Sequence, residues 1–296
     1  MTLRGPPDDR DVDALLSFGV VNLDKPPGPS AHQVAAWVRD ATGQDRVAHG
    51  GTLDPKVTGC LPILLGDAAR AARVFDEAIK EYVAVLELHD RAPADFGTVV
   101  AEFEGDIYQK PPRKSAVKRQ LRTRRIHDLD VLEREDRRAL LRVRCASGTY
   151  IRKLCHDIGL ALGTGAHMGD LRRTATGTFD DADLVTMHDL VDALAVAEAG
   201  ETPPLREVVQ PAERALVALP AVTIAPSAAR AVADGAPVYA PGVIGVGPAE
   251  VGGATPEEGT LVACYTPDGA AVCLGTLVGD PETDAGTVVE LERVLV

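Results

Sequence analysis

The period of apolar and polar positions changes several times along the chain, and each change marks an element. Residues 18–24, FGVVNLD, are an apolar run of the kind a short buried strand presents. KPPGPS breaks that run as a turn. Ser30 followed by Gln33 is a capping-box pair, which predicts a helix over AHQVAAWVRDAT with Val34, Trp37, Val38 and Ala41 on one face. Gly66 and Asp67 introduce a second helix through AARAARVFDEA, and EYVAVLELH and TVVAEFEG read as strands. In ALLRVRCAS (139–147), Leu141, Val143 and Cys145 alternate with Leu140, Arg142 and Arg144, as in a half-buried strand. GTYIRKLCHDIGLAL then carries Ile151, Leu154, Cys155, Ile158 and Leu162 at helical spacing, so Tyr150 and Arg152 sit where a strand gives way to a helix. Residues 197–214, rich in Glu, Pro and Arg, read as a linker. From 220 onward Gly, Pro and Val are dense. LPAVTIAP, LVACYT and AVCLGTLV read as short strands with one helix at SAARAVADG, a small separate β-rich module.

With 296 residues the chain has material for two domains. The amino terminus, MTLRGPPDDRDVDALL, carries acids and prolines where a secretory signal has a basic and then an apolar stretch, and no apolar run is long enough for a membrane span. Five scattered cysteines without a CxxC pair argue against a zinc site or a disulfide framework, so the expected setting is a reduced cytoplasm.

Charge changes the picture more. A formal net charge of −13 argues, taken alone, against nucleic acid. Yet of the 31 basic residues only seven are lysine, and an acid-rich, lysine-poor surface is what a high-salt cytoplasm favours. The charge is also sorted. Residues 109–126, QKPPRKSAVKRQLRTRRI, hold eight Lys or Arg and no acid, whereas from residue 201 to the end there are 13 acids and four basic residues. Charge runs are usually solvated faces. An acid-free run in so acidic a chain weakens that reading here, and Lys110, Arg113, Lys114, Lys118 and Arg119 are suited to neutralise phosphates without reading a sequence.

VAHGGTLDPKVTGCLPI (47–63) sets Asp54 on a glycine-rich loop before a hydrophobic element. An aspartate before proline is most often a plain turn residue. Here Gly50, Gly51 and Gly59 open room for a ligand or another backbone, His49 lies five residues upstream, and the apolar segment that follows makes a rigid support.

GVVNLDKPPGPSAHQV, HGGTLDPKVTGCLPI, EYVAVLEL, PPRKSAVKRQLRTRRI, SGTYIRKLCHDIG and MGDLRRTATGTF, in this order, resemble the TruB/dyskerin family of pseudouridine synthases over most of residues 17–190. The DPKVTG and SAVKRQLRTR forms are more similar to the archaeal and eukaryotic branch than to the bacterial one, and the carboxy-terminal module resembles a PUA domain. The nearest likeness is to the archaeal catalytic subunit of H/ACA RNA-guided particles.

The resemblance implies an α+β fold: a mixed, largely antiparallel central sheet with a C-terminal β-rich PUA domain. It divides the chain into an N-terminal segment, 1–16, packing on the PUA domain, a catalytic domain over 17–215 and the PUA domain over 220–296. It implies isomerisation of uridine to pseudouridine, without cofactor or metal. Asp54 matches the catalytic aspartate, attacking either C1′ of the ribose or C6 of the base of a flipped nucleotide. Arg152 matches the arginine that holds this carboxylate aimed. Tyr82 matches the tyrosine that stacks on uracil and helps remove the C5 proton; Glu81 precedes it where the family carries a basic residue. His49, Tyr150 and Leu171 match residues around the flipped nucleotide, and Lys25 and Pro26 a motif that buttresses the catalytic loop. Lys153 reads as solvated. The implied partners are a guide RNA, a target RNA (ribosomal or transfer) and small zinc-ribbon, β-barrel and kink-turn-binding proteins. With four basic residues beyond residue 200, the PUA-like module binds RNA either through backbone groups and base-specific contacts or weakly outside the full particle. The rival readings are a stand-alone enzyme acting on the tRNA T-loop uridine and a non-catalytic RNA-binding scaffold. Asp54, Tyr82 and Arg152 together speak against the scaffold, and a small-molecule enzyme leaves the basic run unexplained.

Overall fold

The capping box at Ser30 forms as its spacing predicts: Gln33 N donates to Ser30 Oγ at 3.2 Å and Ser30 N to Gln33 Oε1 at 2.8 Å. The helix it starts, Ala31–Thr42, buries Ala31, Val34, Ala35, Val38 and Thr42. Trp37 and Ala41 lie on the exposed side, because the 3.6-residue period carries the buried stripe through 31, 34–35, 38 and 42.

This computed structural model describes residues 3–111 and 120–296. The first sheet has ten strands: β1 (Gly19–Lys25), β2 (Val47–His49), β3 (Thr58–Leu65), β4 (Lys80–Leu88), β5 (Gly105–Gln109), β6 (Arg122–Arg134), β7 (Arg138–Cys145), β8 (Ala166–Thr176), β9 (Phe179–Asp180) and β10 (Gln210–Pro211). Their order is β10-β1-β3-β8-β4-β7-β6-β5, with β2 added to β3 and β9 to β8. Among the described residues the β3–β8 pairing is the one parallel strand pair of this sheet, so the mixed, largely antiparallel arrangement matches the expected fold class. A second sheet of six strands comprises β11 (Ala221–Ile224), β12 (Val238–Tyr239), β13 (Val243–Gly247), β14 (Leu261–Tyr265), β15 (Ala271–Leu277) and β16 (Thr287–Val294). The helices are α1 (Val12–Ser17), α2 (Ala31–Thr42), α3 (Phe96–Ala101), α4 (Ile151–Ala161), α5 (Met187–Glu198), α6 (Pro203–Val208) and α7 (Pro226–Ala233). Among the described residues no helix is long and apolar enough to cross a membrane.

Three segments depart from the sequence expectation. TVVAEFEG does not form a strand; Phe96–Ala101 is a short helix burying Phe96 and Val100, and the strand begins at Gly105. The segment led by Gly66 is helical with 3-10 pitch over Gly66–Phe75. Residues 197–214 are no linker: α6 lies there, β10 pairs with β1, and Ala212 and Glu213 are buried. Proline and glutamate made this stretch look like a linker, but its Leu205 and Val209 carry it into the core.

Residues near the amino terminus tie the two sheets together. Arg4 Nη1 donates to Leu295 O at 2.6 Å, and Arg10 meets Glu213 through two bonds of 2.8 and 2.6 Å. Glu213 Oε1 also accepts from Ala271 N, in β15, at 3.0 Å.

Candidate active site

The loop between β2 and β3 projects Asp54 because its neighbours are anchored. Leu53 and Val57 are buried in the main core, Val57 N donates to Asp54 O at 3.0 Å, and Gly28 N to Pro55 O at 2.9 Å. Gly51 and Gly59 hold φ of 101° and 97°, values that favour glycine. At Gly59 the requirement is also steric, since a Cβ there would lie 2.2 Å from Arg173 O across the parallel β3–β8 pairing.

Arg152 stands at the start of α4 and donates to the Asp54 carboxylate, as the sequence anticipates. Both side chains stay open, with 57% and 56% of their surface exposed. Tyr150, the residue before this helix, has its backbone held from both directions by Gln109: Tyr150 N donates to Oε1 at 2.9 Å and Nε2 donates to Tyr150 O at 3.1 Å. Gln109 is buried at the end of β5 and was not singled out in the sequence.

On β4 the period of two puts Lys80, Tyr82, Ala84, Leu86 and Leu88 on the buried face. Lys80, two residues before Tyr82, is therefore the basic side chain on the tyrosine's own face. Glu81 points to the other face, where it accepts from Thr174 Oγ1 at 2.9 Å. Burial pushes the Tyr82 hydroxyl pKa up, and the neighbouring Arg173 charge pulls it back down. Leu171, buried on β8, sits opposite Ala84.

His49 ends β2, edge-on to His32 with ring centroids 4.7 Å apart. Its Nδ1 is buried and unpaired among the described residues. Burial, then the charges of His32 and Arg173, lower its pKa. The two histidines share a groove of about 350 Å³ with Arg39 and Val47. Lys110 is exposed, while Arg113, Lys114, Lys118 and Arg119 lie outside the described residues. Gln109 and Arg122, which flank that stretch, are register partners. Lys153, read as solvated, is half-buried and ion-paired with Asp157 one turn along α4.

Beneath the loop lie three buried cations. Lys25 Nζ donates to Pro26 O, Pro55 O and Val57 O at 2.9, 3.1 and 2.8 Å. Burial lowers its pKa, and Asp54 opposes that fall. Lys80 Nζ donates to Phe75 O and Ala78 O, both at 2.9 Å, and to Ser147 Oγ at 3.1 Å. Burial foremost, and then Arg173, bring its pKa down to about 8. Arg173 Nε donates to Cys60 O at 2.7 Å and Nη2 reaches Gly51 O at 3.4 Å. Lys80 and Arg173 were not picked out as site residues. The available signal was the alternation itself, which sets Lys80 in phase with Tyr82 and Arg173 in phase with Leu171.

Comparison with known proteins places these features in a family. Residues 39–95 and 90–151 match the TruB family pseudouridylate synthase (N terminal domain), 152–217 the tRNA pseudouridylate synthase B C-terminal domain, and 5–35 the DKCLD (NUC011) domain. A Haloarcula marismortui protein described as "Probable tRNA pseudouridine synthase B" is 80% identical over all of this chain and 94% of its own length. A Pyrococcus furiosus protein of the same description is 45% identical over 98% of this chain and 85% of its own length. The crystal structure of a Cbf5-Nop10-Gar1 complex superposes with a TM-score of 0.91 at 44% identity, covering 99% of this chain and 90% of that one. A structure of an H/ACA RNP bound to a substrate RNA containing 2'-deoxyuridine gives 0.90 at 42% identity, with 99% and 90% covered. The matched family models, and a relative 80% identical over the whole of this chain, make the chain a member of the TruB family of pseudouridylate synthases.

Proposed function

We propose that the chain isomerises uridine to pseudouridine in RNA at the Asp54 loop, with a guide RNA selecting the uridine. The observation that carries this reading is the Asp54–Arg152 pair, open to an incoming nucleotide yet built on buried, fixed backbone. In it Asp54 is the nucleophile, at C1′ or C6, and splits glycosidic cleavage and rejoining into easier steps. Arg152 aims the carboxylate. Tyr82 packs against the flipped uracil and assists removal of the C5 proton. His49, Tyr150 and Leu171 border the base, and Lys110, Arg113, Lys114, Lys118 and Arg119 neutralise backbone phosphates. The division into segment 1–16, catalytic domain 17–215 and PUA domain 220–296 belongs to this reading, as does a cytoplasmic location.

Guided action is supported by the likeness to a Cbf5-Nop10-Gar1 complex and to an H/ACA RNP with substrate RNA. By that likeness the partners are a guide RNA, a ribosomal or transfer RNA target, and small zinc-ribbon, β-barrel and kink-turn-binding proteins. The description shared by the curated relatives favours a second reading, a stand-alone enzyme acting on tRNA.

Purified protein is incubated with tRNA, and separately with a guide–target pair plus the partner proteins, and pseudouridine is mapped in each. Product in the guided target is expected, with none from Asp54→Asn at unchanged RNA affinity. Product in tRNA alone favours the second reading, and turnover by Asp54→Asn removes the proposed nucleophile.

A further inference from the structure

We infer that Arg173 is a positioning residue that closes the base of the Asp54 loop. The inference rests on the reading of Asp54 as the reacting carboxylate and adds a residue to it. The guanidinium sits on β8 and donates to Cys60 O on one side of the loop and to Gly51 O on the other. Those carbonyls bracket the eight residues between them. One planar side chain thus fixes the separation of the two strands that deliver Asp54.

Three further observations fit this role. Arg173 is wholly buried, so its charge is held at a desolvation cost that a purely packing residue would not incur. It makes no ion pair with a carboxylate among the described residues; it donates instead to two backbone carbonyls. Its own carbonyl faces Gly59 so closely that a Cβ there would come within 2.2 Å, so both its side chain and its backbone contact this loop. Nη1 is left buried without an acceptor among the described residues, near Gly51, and the guanidinium charge bears on Tyr82. Arg173 is therefore the link between the loop that carries the carboxylate and the strand that carries the tyrosine.

Lysine keeps the charge but reaches one carbonyl at a time, and methionine keeps length and removes every donor. The test measures single-turnover pseudouridine formation and RNA affinity for Arg173→Lys and Arg173→Met, on the RNA that the unmodified protein converts. Amide hydrogen exchange is followed at Val57, which donates to Asp54 O, and at Val143 in the middle of β7. Displacement of a reacting group by about 1 Å costs on the order of 100-fold in rate. Both variants are expected to lose about that factor in turnover with RNA affinity within twofold, and Val57 to exchange faster while Val143 does not. Full turnover by Arg173→Lys overturns the inference. So does a loss of turnover with Val57 protection intact, faster exchange at Val143 to the same degree, or failure of both variants to fold, since each assigns Arg173 to general core stability. Asp54→Asn, run alongside, separates the two claims: if it turns over, the reading of the site fails whatever Arg173 does.

Discussion

Two regions of this protein bury charge, and they do so in opposite ways. Where the two sheets meet, Arg10 is closed against the carboxylate of Glu213, which also takes the amide of Ala271. Beneath the Asp54 loop, Lys25, Lys80 and Arg173 are buried with backbone carbonyls and one hydroxyl as acceptors, and none of the three makes an ion pair among the described residues. These five are the charged residues buried in the described chain. The first arrangement is neutral and joins two bodies. The second leaves three positive charges under the loop of Asp54, the proposed nucleophile, in a chain whose formal net charge is −13. Carbonyl dipoles meet the hydrogen-bonding needs of a cation without cancelling its field. The difference teaches that a buried ion which has found a counter-ion marks architecture, while buried cations left without one mark the place where an anion is to be handled.

The strongest way to break this contrast is at the exposed pair that the buried cations support. Arg152→Lys keeps a positive charge beside Asp54 and loses the planar fork, so misaligned chemistry should slow turnover by about 100-fold with little change in RNA binding. Equal single-turnover rates for the two proteins would show that charge alone suffices there.

At the junction the expectation concerns stability. Glu213→Ala leaves Arg10 buried without a counter-ion and Ala271 N without its carboxylate acceptor, which should cost about 3–5 kcal/mol in denaturant unfolding. Replacing both members, with Arg10→Met and Glu213→Leu together, should recover most of that loss, because an apolar pair has no charge to desolvate. If the double replacement is no better than the single one, the pair does more than neutralise itself.

Lys80 offers a comparison by pH. Burial brings its pKa to about 8 in the folded protein, against 10.5 for an ordinary lysine. Below pH 8 both folded and unfolded chains carry the proton, and the full cost of burying the charge is present. Between about pH 8 and 10.5 the unfolded chain binds more protons than the folded one, so stability rises with pH. The gain is on the order of 2–3 kcal/mol across that window. The difference in unfolding free energy between the unmodified protein and Lys80→Met should therefore move in favour of the unmodified protein by that amount from pH 8 upward. A flat difference would place the ammonium in a better solvated setting than its three acceptors indicate.

The contrast also explains what was legible in the sequence. The Asp54 loop stood out because glycines and a proline around a carboxylate are local signals, whereas Arg152 entered through the family resemblance, the period showing only that it sits where a strand gives way to a helix. The capping box at Ser30 and Gln33 was readable from a local signal too. Arg173 lies within the quoted MGDLRRTATGTF and Lys80 falls one residue before EYVAVLEL, but both were passed over, since a lone basic residue in a strand looks solvated until the neighbouring strands fix which face is covered. Gln109 carries no local signal at all, because its partner Tyr150 is 41 residues away. The supposed linker failed in the opposite sense: its Pro, Glu and Arg are polar by composition, yet Glu213 is buried because Arg10 comes from the far end of the chain to meet it.

The smallest expected effect belongs to the exposed charges. Lys110 is open to solvent at the edge of the basic run, where a phosphate contact contributes through counterion release. Lys110→Ala should lower the slope of log affinity against log salt by about 0.7–0.9 and leave the rate of the bound complex unchanged. The contribution should also fade as salt rises, because at about 1 M the Debye length is about 3 Å and an exposed ammonium is screened from its phosphate. The buried cations are out of reach of those ions. An acid-rich composition is suited to high salt, so the comparison extends to that range. Measured at about 0.2 M and about 2 M salt, the binding defect of Lys110→Ala should shrink toward nothing, whereas the turnover defect of Arg173→Lys should stay the same size. If both defects fade together, the charge beneath Asp54 is as solvated as the charge on the surface, and the two kinds of cation are not distinct.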